Sequence, residues 1–122
     1  STAELLDLMA KGEIDCAFVE GFFEKSELSW DVLCVQELVC VCSPNSSLAS
    51  RTCSMEEALS APLIVRERES GSRAVLEHAL HQRNYGVSIQ HDISFIRPKG
   101  SRFEETFHAL FEGVKEEFDR LA

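Results

Sequence analysis

The sequence predicts an α/β fold, and three observations carry that prediction. A helix signal meets a glycine and then an almost continuous apolar run in "STAELLDLMAKGEIDCAFVEG". Helix and strand signals keep alternating downstream, and the C-terminal segment sets phenylalanines at helical spacing. With 122 residues, 44 % of them hydrophobic and 27 % charged, the chain is long enough to bury one real core.

Each element has a local cause. Ser1 and Glu4 stand at capping-box spacing, and Leu5, Leu6, Leu8 and Met9 form an apolar stripe that ends at Lys11-Gly12. "IDCAFVE" then reads as a strand covered on both faces, as in a parallel sheet. "ELSWDVL" alternates Leu28, Trp30 and Val32, and "ELVCVCSP" reads as a second strand before the turn at Pro44-Asn45-Ser46-Ser47. Ser54 and Glu57 form another capping box, whose short helix stops at Ser60-Ala61-Pro62. "LIVR" reads as a brief buried strand leading into "RERESGSRAVLEHAL", where a helix runs from about Ser72 to Asn84-Tyr85-Gly86 with Leu76, Ala79 and Leu80 toward the core. "VSIQHDISFIRPKG" reads as extended structure closed by a turn. Ser101 and Glu104 give a third capping box, behind which Phe103, Phe107, Leu110, Phe111, Val114, Phe118 and Leu121 share one helical face.

Composition excludes several functions. A net charge of −9, from 21 acidic and 12 basic residues, argues against a phosphate-gripping surface for nucleic acid. No apolar run approaches membrane-spanning length, and no export signal opens the chain, so the expected setting is the cytoplasm. The five cysteines sit in apolar segments and read as small buried hydrophobes. Cys40 and Cys42 lack a second pair with metal-ligand spacing. Glu77, His78 and His81 share a helix face without a third ligand motif, and His91 and His108 have no partner that sequence can assign. No nucleophile elbow or Walker loop occurs. These features predict no cofactor, no metal and no catalytic residues.

Three stretches, in order, resemble the regulatory half of LysR-type transcriptional regulators. "STAELLDLMAKGEIDCAFVEG" is similar to that family's helix-strand unit with its Gly-x-(Ile/Leu)-Asp link. "ELVCVCSPNSSLASRTCSMEEALSAPLIVRERESGSRAVLEHAL" is similar to the following strand, Ser-Pro turn, short acidic helix and Ser-Gly-(Ser/Thr)-Arg bend into a helix. "ISFIRPKGSRFEETFHALFEGVKEEF" resembles the closing strand and C-terminal helix. The resemblance implies a type 2 periplasmic-binding-protein-like fold: two α/β subdomains, hinge strands and a small-molecule cleft between them, here partly truncated. It assigns 1–21 and about 93–122 to the first subdomain and about 22–92 to an incomplete second one. Family members carry a strand, a helix and a second strand before the position of Ser1, preceded by a winged helix-turn-helix. They also carry several dozen residues near Asp92–Ile93, where this chain runs straight on.

The resemblance further implies a small-molecule effector, with anions among the candidates, a homo-oligomer in the full-length protein, and DNA contact only through the absent N-terminal domain. It places effector contacts on Ser70, Gly71 and Ser72, with Arg73 beside them, on Thr2 with Ser1, and on Glu20 at the end of the first strand. From the residues alone, Ser70 and Ser72 serve equally as ordinary helix caps, and Arg73 could pair with Glu69 or Glu77. A helix start offers unpaired N–H groups that suit an anion. Glu20 departs from the small polar residues usual there and would repel one. The competing readings are a stand-alone solute-binding protein of the same fold, and a small enzyme using Glu77, His78 and His81 as metal ligands or Cys40 and Cys42 as thiols.

Overall fold

A computed structural model describes residues 1–83 and 88–122, in the order α1 (Thr2–Ala10), β1 (Ala17–Glu20), β2 (Leu28–Leu38), α2 (Met55–Ser60), α3 (Gly71–Gln82), β3 (Ile89–Pro98) and α4 (Glu104–Leu121). The strands form one sheet in the order β1-β3-β2. Both pairings are antiparallel: Phe18 lies opposite Phe95 on one side, and Trp30 lies opposite Ile96 on the other. The parallel arrangement expected for "IDCAFVE" is therefore corrected. β1 is a four-residue edge strand with only Val19 buried, because it has a neighbour on one side alone.

Alternation along β3 builds two cores. Ile96 points to the face that carries α1 and packs with Met9, Val19 and Leu28. Phe95 points to the opposite face and packs with Leu33, Phe107 and Phe111, the last two from α4. Both residues are completely buried, so the sheet is covered on both faces as an α/β reading requires. Phe95 stacks on Phe111 with centroids 5.9 Å apart and meets Phe107 edge-on at 6.4 Å. A bulge between Val32 and Cys34 makes Leu33 the extra residue in β2, which lets Leu33 and Cys34 both reach the second core.

The helix starts follow the caps with one exception. Ser1–Glu4 and Ser54–Glu57 close as capping boxes, and Ser70 caps α3 through the Arg73 N–H. At α4, Phe103 is the N-cap residue and makes no side-chain cap, while the Ser101 hydroxyl accepts from the Phe103 N–H instead. The expected Ser101–Glu104 box fails because Glu104 turns to the Arg97 guanidinium. On the α4 stripe, Phe107 and Phe111 are buried and Val114 and Phe118 pack partly, but Phe103, Leu110 and Leu121 stay exposed. α3 buries Val75 and Ala79, with Leu76 and Leu80 only half-buried, and ends at Arg83 in the left-handed region. The expected end at Asn84-Tyr85-Gly86 lies outside the described residues.

Two expected strands do not form. "ELSWDVL" and the start of "ELVCVCSP" merge into β2, which stays paired until β3 begins at Leu38↔Ile89. Past that point no partner strand occurs among the described residues, and Val39 to Cys42 lie outside the sheet with Val39 and Val41 exposed. "LIVR" likewise has no strand partner among the described residues and is irregular, with Ile64 fully exposed. The cysteine expectation falls with them: Cys40 and Cys42 are exposed, and Cys16, Cys34 and Cys53 are half-buried free thiols.

Arg97 pins three elements together. Its side chain is 6 % exposed, donates to Asp31 of β2 at 2.6 Å and to Glu104 of α4, and lies 5.4 Å from the Phe95 ring centre. The Arg97 hydrogen bonds hold the Glu104 carboxyl below its ordinary range. A carboxyl lowered on folding stabilises the native state above the unfolded carboxylate range and loses that contribution as pH falls through the lower folded value. Glu104→Gln should therefore cost stability at neutral pH and flatten the loss on acidification. Glu104 is 45 % exposed, so solvent screening limits the effect to about 1 kcal/mol or less. Urea melts at neutral and acidic pH check it.

Candidate ligand pocket at the start of α3

Two glycines bring the end of β1 against the start of α3. Gly21 has φ +79°, and its N–H donates to the Asp92 carbonyl at 2.9 Å. A Cβ on Gly71 would stand 2.2 Å from the Glu20 carbonyl oxygen, and one on Gly21 would stand 3.0 Å from the Gly71 oxygen. Only glycine lets these backbones approach so closely. As a result the first turns of α1 and α3 face the same end of β1, each with N–H groups that their own helix leaves unpaired.

A cavity of about 210 Å³ opens at this junction, lined by Ser1, Thr2, Glu20, Ser70 and Gly71 among others. Five of the seven sequence-proposed site residues thus share one cavity. Ser70 is 4 % exposed, and its hydroxyl both caps α3 and lies 3.0 Å from the Ser72 hydroxyl. Ser70 thus caps α3 and also lines the cavity. Ser72 does not line the cavity; its hydroxyl donates to Glu20 Oε1 at 3.4 Å. Arg73 turns away, pairing with Glu77 at 2.7 Å and donating to the Arg66 carbonyl at 2.9 Å. Between the two partners the sequence left open for it, Glu77 is the one it takes.

Glu20 is the junction's central group. Thr2 Oγ1 donates to its carbonyl at 3.4 Å, and its second carboxylate oxygen meets His91 Nε2 at 3.2 Å. The His91 side chain is 5 % exposed, and its Nδ1 is buried with no hydrogen-bond partner among the described residues. Sequence reasoning left His91 unassigned because the partner is 71 positions away, and only the β1–β3 register joins them. It also missed Leu5, Phe18 and Val19, which give the cavity its apolar wall, since strand and helix periodicity marks such residues simply as core. Arg66 and Glu67 complete the rim as a two-bond pair, each at 2.9 Å. The Arg66 guanidinium pulls the Glu67 carboxyl down to about 2.

The other candidate clusters stay apart. Glu77 is taken by Arg73, and the His78 ring meets Phe22 edge-on at 5.1 Å. Among the described residues no group of three His, Cys, Asp or Glu gathers as a metal cluster, and no helix is long and apolar enough to cross a membrane.

Residues 1–97 match the family model of the LysR substrate binding domain. The chain belongs to that family. α4 lies beyond the matched region, whereas the glycine junction and the cavity lie inside it. The chain is 29 % identical over 80 residues to a protein named "uncharacterized HTH-type transcriptional regulator YeiE", found in Escherichia coli K12 and again in Escherichia coli O157:H7. That match covers 66 % of this chain and spans 27 % of the relatives' length. No solved structure matches the chain. Membership in the LysR substrate-binding family implies a type 2 periplasmic-binding-protein-like fold, and the mixed α/β architecture with its three-stranded sheet agrees with it. It is a family of regulator domains, in general without enzymatic activity.

Proposed function

We propose that this chain is the effector-sensing part of a LysR-type transcriptional regulator, and that the effector is a small molecule held in the cavity between α1, β1 and α3. One observation carries the reading: inside the family-matched region, Ser1, Thr2, Glu20, Ser70 and Gly71 meet around one opening of about 210 Å³. In that role Ser70 and Gly71 present hydroxyl and amide groups to the effector, Ser72 holds Glu20, and Arg73 keeps the α3 start in place through Arg66. The proposed lobes are 1–21 with about 93–122, and about 22–92. They share the sheet, since β2 from one lobe pairs with β3 across the boundary near Ile93. The regulator works in the cytoplasm as a homo-oligomer and contacts DNA through a separate winged helix-turn-helix. An effector that binds one arrangement of the lobes more tightly shifts their populations, and so changes the grip on DNA.

A thermal-shift screen of small organic and inorganic metabolites on the full chain tests this, because a ligand of the native state raises the melting temperature. A stabilising compound should lose about tenfold or more in affinity in Ser70→Ala and should alter operator binding by the intact regulator that carries the helix-turn-helix. Stabilisation indifferent to Ser70→Ala, or an intact gene product without a helix-turn-helix region, would remove the proposal.

A further inference from the structure

We infer that the ligand of this pocket carries a positively charged amino group directed at Glu20 alongside an oxygen acceptor directed at Ser70 and Gly71: a zwitterion of the α-amino-acid class with a small apolar side chain. The inference rests on the effector-pocket reading above and narrows it. Its starting point is the charge balance of the lining. Arg66 and Glu67 satisfy each other through two hydrogen bonds at 2.9 Å, so their charges offset locally. Glu20 is the remaining charged side chain of the lining, with 35 % of it exposed. Its neighbours are the Ser72 hydroxyl at 3.4 Å and His91 Nε2 at 3.2 Å.

A purely anionic ligand would bring a second negative charge against that carboxylate within a partly desolvated cavity, which is unfavourable. An ammonium group there gains a charge-assisted hydrogen bond. Beside Glu20 lie the buried Ser70 hydroxyl and the Gly71 backbone, so a carboxylate held there sits next to the ammonium, as the two groups do in an α-amino acid. Leu5, Phe18 and Val19 leave an apolar wall for the side chain, and about 210 Å³ limits the ligand to a small molecule.

The test uses matched probes on the purified full chain at about pH 8, where carboxyl groups are ionised. L-Alanine, L-valine and L-leucine are each compared by thermal shift and calorimetry with the deaminated acid and the decarboxylated amine of the same skeleton. At least one amino acid should bind about tenfold or more tighter than both of its fragments, and Glu20→Gln should erase the advantage over the acid. Should Glu20→Gln fail to fold, the discrimination among probes by the unmodified protein still decides the matter. An acid that binds as well as its amino acid overturns the inference yet leaves the effector pocket standing. Failure of all three amino acids overturns it too, while the broader metabolite screen judges the pocket separately.

Discussion

Phe95→Ala should lower the unfolding free energy by about 3–5 kcal/mol, the largest loss any single truncation in this chain is expected to cause. Phe95 is completely buried at the centre of β3, and its ring touches Phe18, Phe107 and Phe111. Truncation removes transfer free energy and leaves a hole that β1, β2 and α4 cannot close together, because the β-ladder holds the strand spacing. For a domain of this size the melting temperature should fall by roughly 10–20 °C. Phe95→Leu keeps most of the volume and should cost less than about 1.5 kcal/mol. Denaturant melts of both variants check the pair. Near-equal losses would mean that the second core is not packed around this ring.

Gly71→Ala should have the next largest effect, and its sign is informative. Alanine at the first position of a helix ordinarily stabilises by about 0.5–1 kcal/mol, since glycine loses more backbone entropy on folding. Here the new methyl group would stand 2.2 Å from the Glu20 carbonyl oxygen, a backbone atom fixed by β1. About 1 Å must open between α3 and β1 before that contact becomes ordinary. The expected outcome is a loss of about 2–3 kcal/mol, in the range of overpacked cores. Prising the helix start from Glu20 also stretches the Ser72–Glu20 contact at the pocket wall. A neutral or stabilising Gly71→Ala would show that β1 and α3 do not touch as described.

The legible parts of this fold were those with local causes. Ser1–Glu4, Ser54–Glu57 and Ser70 announce helix starts within a few residues, and the structure closes all three. The Phe107–Phe111 face follows from periodicity alone. Strand partnership is different: "IDCAFVE" reads as apolar whatever it pairs with, and only the tertiary order β1-β3-β2 makes it an antiparallel edge. "VCVC" and "LIVR" have strand-like composition, but a strand needs a neighbouring backbone, and among the described residues neither segment pairs with one. The Ser101–Glu104 signal lost to a stronger competitor, the buried Arg97 cation. In the pocket, hydroxyl residues at helix starts were readable from sequence. Register brings in His91, and a close backbone crossing sets Glu20 against Gly71.

The central claim is that α3 opens onto a ligand and does more than cap itself. Amide NMR shifts of the full chain, titrated with a compound that raises its melting temperature, test this most directly. The largest changes should fall on Thr2, Glu20, Gly21 and Ser70 to Arg73. Changes centred instead on a second opening of about 600 Å³ lined by Glu56, Leu59, Ser60 and Arg83, with the α3 start unmoved, would contradict it.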